Sequence, residues 1–191
     1  VETTKTASVK TEKIDPSIEN ALSENCNLSI LFNKGGLVFS ILRNDLNKFI
    51  VLGEYELKNN AAEIEALFSF KDQLKGIFSS YAIGFYGPEL TIMPTSLFVA
   101  GKENAYANFQ FDANQEAICY NVLKTHGLVL IYSVPKNVLA LVESYFPNAA
   151  IQHAAAFTIS HYLNLHKNKP GEHFHVNMWR NTLEIVAIRN G

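Results

Sequence analysis

Cysteine is scarce: the 191 residues hold only Cys26 and Cys119, with no C-x-x-C spacing. Neither a disulfide framework nor a zinc knuckle can be built from such a pair, and a reducing compartment, the cytoplasm, is the expected setting. Long apolar runs are lacking as well. The longest, such as LVLIY from Leu128, have the length of a strand, so no membrane span is expected, and the opening VETTKTASVKTEK has no apolar core of the kind a secretory leader needs. Blocks of like charge are also missing. Sixteen Lys and Arg stand against eighteen Asp and Glu, a net charge of −2, which removes the electrostatic footprint of a nucleic-acid binder.

What is present is apolar and patterned. With 48% hydrophobic residues the chain can bury one good core. Residues 1–25 are rich in Thr, Lys, Glu and Ser and are expected to form a polar tail, anchored if anywhere around Ile14 and Leu22. NLSILFNKGGLVFSILRNDLNKFIVLGEYEL then predicts a three-stranded antiparallel meander turning at NKGG and RNDLN. In NNAAEIEALFSFKDQLKGIF, Ile64, Leu67, Phe68, Leu74 and Phe78 fall near one helical face, with Asn60 as N-cap and Glu63 three residues on.

YAIGFY predicts a short strand closed by Gly87-Pro88, ELTIMP a further strand, and TSLF a short helix, while 101–115 reads as loop. AICYNVL and LVLIYSV form a predicted hairpin, Pro135 opens the helix PKNVLALVESYF, AAIQHA is a brief strand, and AAFTISHYLNLH is a helix before the linker-like KNKPG. This order is that of an α/β fold, an antiparallel meander joined to parallel strands through crossover helices.

In HFHVNMWRNTLEIVAI, a turn at Arg180-Asn181 pairs Met178 with Leu183, Val176 with Ile185 and Phe174 with Ala187, giving one wholly apolar face. The other face carries His173, His175, Asn177 and Trp179, opposite Ile188, Val186, Glu184 and Thr182. His173 and His175 share a side as metal ligands would, but the candidate partners His153, His161, His166 and Cys119 follow no metal-binding spacing, so no metal is expected.

Catalytic constellations are as thin. Ser160 and His161 diverge on their helix, Cys119 sits mid-strand, and no G-x-S-x-G occurs. LSILF has no carboxylate for a two-metal nuclease, and Asp45, Asp72 and Asp112 fall in turns and a helix, so no catalytic residue is assigned. Tyr106, Phe109 and Phe111 of YANFQF either form a contact strip or pack on their own sheet.

A meander, helix, strand, helix, strand and helix followed by a second meander resembles the duplicated ribonuclease H-like architecture of the actin-like ATPases. The bacterial branch that includes FtsA and PilM is similar in carrying an inserted subdomain. LSI, LVFSI, LTIMPTSLF and VP before a helix resemble, more narrowly, an uncharacterised bacterial family of this fold. The resemblance implies a first ribonuclease H-like domain at 26–168 with an insertion at about 88–126, and at 169–191 a linker and the start of a second, truncated domain. The polypeptide is accordingly expected to continue past Gly191.

It also implies where nucleotide would sit: between two hairpin loops, each opened by an Asp that orders the magnesium shell and glycines that admit phosphate. The first loop, LFNKGGLV, keeps Gly35 and Gly36 but has Asn33 where the Asp belongs. The second, VNMWRNTLE, has Asn177 near the Asp position, Trp179 in place of a glycine, and Thr182 matching. Lys34, Gly35, Gly36, Asn177 and Thr182 are thus vestigial phosphate-loop positions, and no cofactor is expected, ATP with magnesium being the alternative. The implied function is a degenerate, non-catalytic binding or assembly scaffold with a protein partner. The alternative is an ATP-binding switch or ATPase with atypical loops. The apolar hairpin face is expected to be covered by self-association of this fragment or by packing on the first domain.

Overall fold

The computed structural model describes residues 8–16, 18, 25–57, 61–112, 116–179 and 182–189. Leu22, Asn60 and the Arg180-Asn181 turn lie outside them.

Where composition predicts a polar tail, the chain forms a strand, β1 (Ser8–Ile14), paired antiparallel with Lys48–Glu56 from Ser8↔Glu56 to Ile14↔Val51. The segment has few apolar groups to bury, but an edge strand leaves a row of backbone donors and acceptors open, and any extended segment can satisfy them. One charged contact fixes it: Glu12 accepts from Lys71 Nζ at 2.6 and 2.8 Å and from the Tyr55 hydroxyl at 3.0 Å. Burial works to lower the Lys71 pKa, yet the bonds to Glu12 and Tyr55 outweigh it and raise the pKa above the usual lysine value.

The meander is β2 (Cys26–Asn33), β3 (Gly36–Arg43) and β4 (Lys48–Glu56), with Cys26, Leu28, Ile30 and Phe32 alternating into the core. α1 (Ala61–Phe70) crosses over to β5 (Ser80–Phe85), which runs parallel to β2. α1 is shorter than its apolar spacing predicts, because Lys71 turns extended and a 3-10 turn follows at Asp72–Leu74. Ile64, Leu67, Phe68, Leu74 and Phe78 are nonetheless all buried.

Between β5 and the next main-sheet strand lies a separate three-stranded antiparallel sheet of β6 (Leu90–Pro94), β7 (Glu116–Leu123) and β8 (Leu128–Pro135), ordered β6-β8-β7. β8 belongs to this second sheet, which therefore runs on to Pro135. Its unbroken apolar run is that of a central strand buried on both sides: Val129 and Ile131 pack under a helix of the insertion, Leu130 on the far side. That helix, α2 (Glu103–Ala107), falls where 101–115 was expected to be loop. Ala107 is fully buried, Tyr106 and Phe111 pack against it, and Phe109 is 86% exposed, so two of the three aromatics serve their own sheet.

Pro135 leads into α3 (Lys136–Tyr145), which packs on α1 through Phe146 against Phe68, ring centroids 5.2 Å apart. β9 (Ala150–His153) then completes a six-stranded sheet ordered β1-β4-β3-β2-β5-β9. Asn121 joins the two sheets: its Nδ2 donates to the Ile151 carbonyl at 3.1 Å and its Oδ1 accepts from His153 N at 2.8 Å.

α4 (Ala154–Leu165) follows, and then the hairpin β10 (Glu172–Trp179) and β11 (Thr182–Arg189). Its register is the expected one, with Met178↔Leu183, Val176↔Ile185 and Phe174↔Ala187. Of the two expected ways to cover the apolar face, self-association or packing on the linker and first domain, the structure does not show the second: the opposite face packs there. The Tyr162 hydroxyl donates to Asn177 Oδ1 at 2.9 Å, the Thr158 hydroxyl donates to Glu184, Val186 packs beside Ile159, and Ile188 is buried. α4 presents hydroxyls and a histidine toward the hairpin, and these match polar strand residues rather than Phe174, Val176 and Met178. Among the described residues no helix is long and apolar enough to cross a membrane.

The NKGG turn carries a strict packing demand. Gly35 has φ +103, and a Cβ on Gly36 would lie 2.1 Å from the Tyr55 carbonyl oxygen. Gly36→Ala is therefore expected to destabilise the fold by about 1–3 kcal/mol, the usual cost of overpacking. A lower urea midpoint with an unchanged m-value is the expected observation; an unchanged midpoint contradicts it.

Candidate functional site

β2 and β5 are parallel neighbours whose chains leave in different directions, β2 turning back into β3 and β5 running on into the inserted sheet. Such a divergence opens a crevice beyond the carboxyl ends of the strands, the position where α/β sheets bind ligands. Here the crevice has a volume of about 300 Å³. Phe32 and Phe85 stack in its wall with centroids 5.0 Å apart, Asn33 and Lys34 come from the NKGG turn, and Tyr86 to Glu89 come from the end of β5. The insertion contributes Asp112, Glu116 and Ser133.

His153 braces the rim. Its Nδ1 accepts from Ala155 N at 3.1 Å, which places the ring proton on Nε2 to donate to the Gly87 carbonyl at 3.1 Å. Burial, first of all, lowers its pKa, so it is a neutral cap on α4 that pins the Gly87-Pro88 turn. Burial, with Glu184 nearby, raises the Tyr86 phenol.

The electrostatics are those of an acidic cleft. Among the described lining residues Lys34 is the cation and Glu89, Asp112 and Glu116 are the carboxylates. A bare polyphosphate entering it meets net negative charge. Among the described residues no group of three or more His, Cys, Asp or Glu side chains could hold a metal ion. No histidine or cysteine is among the described lining residues.

Of the vestigial positions, Lys34 lines the crevice, and Gly35 and Gly36 lie in the turn beside it. Asn177 is engaged by Tyr162 on α4, Thr182 is exposed at the start of β11, and neither lines the crevice. Glu89 follows Gly87-Pro88 at a strand end, a position that could have marked it. Asp112 and Glu116 reach the crevice through the fold of the insertion, and nothing in their local sequence signals it. Cys119 is half-buried, and burial pushes its thiol up to about 11, an unreactive sulfhydryl.

A cluster of histidines assembles away from the crevice. His166, at the end of α4, has Nε2 2.7 Å from Nε2 of His175 and stacks on His173 with centroids 3.8 Å apart. Local spacing gave no sign of this, because the linker folds β10 back over α4.

Solved structures place the architecture. A protein from Bacteroides thetaiotaomicron VPI-5482, described as having an actin-like ATPase fold and unknown function, superposes with a TM-score of 0.81 at 19% identity, covering 91% of this chain and 69% of that one. The cytoplasmic domain of EpsL, an inner membrane component of the type II secretion system of Vibrio cholerae, superposes with a TM-score of 0.41 at 10% identity, covering 86% of this chain and 70% of that one. No curated protein matches the chain. The first likeness shows the fold to be that of the actin-like ATPases, as the element order implied. Residues 15–191 match the family described as protein of unknown function DUF3822, and the chain belongs to that family.

Proposed function

We propose that the chain is a non-catalytic binding and assembly module on an actin-like fold, and that it associates with a second copy of itself through the apolar face of the β10–β11 hairpin. One observation carries this. Phe174 is 66%, Val176 58%, Met178 79%, Leu183 61% and Ile185 63% exposed, on one face that is apolar up to the Glu172–Arg189 ion pair at its end. Together they present roughly 600 Å² of apolar surface, the upper end of what a monomer leaves as a single patch. Mating two such faces removes roughly 1,200 Å² from water, the lower end for a specific interface, and a two-fold axis makes the patch its own complement. The hairpin is a two-stranded sheet, so each strand also offers an open edge for pairing.

The crevice supports a non-catalytic role. Asn33 stands where a magnesium-ordering carboxylate is wanted, and both turn glycines are required by the turn itself. Among the described lining residues no histidine or cysteine stands beside Ser133.

Two measurements test the proposal. Millimolar ATP or ADP with magnesium is expected to leave the thermal unfolding midpoint unchanged, since a ligand of the native state raises it by mass action. A saturable rise overturns the non-catalytic assignment in favour of a nucleotide switch. Light scattering is expected to show a dimer or larger species, and Val176→Glu combined with Ile185→Lys is expected to give a monomer with an unchanged unfolding midpoint. A monomeric parent chain at high concentration overturns the self-association.

A further inference from the structure

The seated face of the hairpin is held largely by rings. His166 is buried at the end of α4, with its Nε2 2.7 Å from His175 Nε2 on β10. Its ring stacks on His173 and the His175 ring stacks on Tyr162, each pair with centroids 3.8 Å apart. The nitrogen-to-nitrogen contact needs one N–H and one lone pair, so at least one of these two imidazoles must be neutral. If both were protonated, N–H would face N–H across the contact.

The other ring nitrogens make the same demand. His166 Nδ1 and His173 Nε2 are buried with no hydrogen-bond partner, so the cationic form of either ring, which carries N–H on both nitrogens, would hold a donor without an acceptor. The surrounding charges give no relief. Lys169, just past the helix, adds positive potential, and His161 beside Tyr162 is a further imidazole on α4. On the hairpin the Glu172 carboxylate is taken by Arg189 at 2.7 Å, and that of Glu184 by the Thr158 hydroxyl. Among the described residues no carboxylate bonds to any of the three rings.

We propose that the cluster of His166, His173 and His175 is a proton-sensitive latch that seats the β10–β11 hairpin on α4 while His166 is neutral and releases it when His166 takes up a proton. The direction follows from which state binds protons. Burial, then the neighbouring His173, His175 and Lys169, hold the seated His166 below its ordinary value, whereas in the released hairpin it returns to about 6.5. The released state therefore binds more protons at mildly acidic pH. Seating is complete above about pH 6.5 and weakens as the pH falls below it, until the lowered pKa of the seated form is reached.

The test is amide hydrogen exchange on the whole chain, corrected for the intrinsic pH dependence of exchange. It is run in the Val176→Glu, Ile185→Lys background so that any self-association does not mask the result. Between about pH 7.5 and pH 5.5, β10 and β11 are expected to lose up to about tenfold in protection per excluded proton, while β2 and β3 keep theirs. His166→Gln with His175→Gln is expected to remove that dependence. In the parent chain the His166 ring resonances are expected to titrate below the ordinary imidazole midpoint, a readout that needs no histidine variant to fold. Hairpin protection that follows the core at every pH overturns the latch, as does an acid loss that survives in the double histidine variant or a His166 midpoint at or above the ordinary value. Stoichiometric zinc uptake that protects the hairpin and is lost in the same variant also overturns it, by assigning the three rings to a metal.

Discussion

Because β2 doubles back into β3 while its parallel neighbour β5 runs on into the inserted sheet, no hairpin can close the two carboxyl ends, and the crevice follows from strand order alone. The parallel pairing, from Asn27↔Ser80 to Phe32↔Phe85, is in turn held by the side chains it buries: Leu28, Ile30, Phe32, Ile83 and Phe85 all lie in one cluster with α1 and α3. The insertion is placed by the same pairing. β5 delivers the chain to β6 at one rim of the crevice, and β8 returns it through Pro135 to α3 at the other. The acidic lining thus comes from the insertion more than from the meander, and it is set by where β5 ends rather than by any local motif.

What was legible in the sequence is what depends on period. Alternation at two residues located β2, β3 and β4 and fixed every pair of the β10–β11 register, because a slip of one residue would exchange its two unlike faces. Apolar spacing found α1, α3 and α4, although Lys71 turned to meet Glu12 and ended α1 early. What was hidden depends on partners distant in sequence. The strand at Ser8–Ile14 exists because β4 has an open edge, which no composition count of residues 1–25 can register. The seated side of the hairpin was hidden likewise, since it is chosen by Thr158, Tyr162 and His166 on another element.

The glycines of NKGG show how a motif can be read in two ways. A pair of glycines in the first turn is what a phosphate loop needs, and it is also what this turn needs when Gly35 takes a positive φ and the Tyr55 carbonyl presses on Gly36. The packing demand is sufficient to keep both, so their presence says nothing about a ligand. The carboxylate position is more informative, although Asn33 is itself buried, where a neutral amide is favoured over an unpaired carboxylate and a bound magnesium ion would reverse that preference.

The hairpin's energetics tie its two faces together. A lone two-stranded ribbon is marginal in water, so β10–β11 must draw its order from contacts outside itself. On the seated side it gains Val186 and Ile188 as apolar contacts, and the remainder is imidazole, phenol, hydroxyl and amide. Polar contacts of this kind contribute about 0.5–1.5 kcal/mol each and depend on protonation, whereas burying Phe174 or Ile185 is worth about 1.5–3 kcal/mol whatever the pH. A partner on the apolar face would therefore hold the hairpin more firmly than α4 does. Since that partner binds the strands rather than their seat, it could keep the hairpin ordered even with the histidine contact broken.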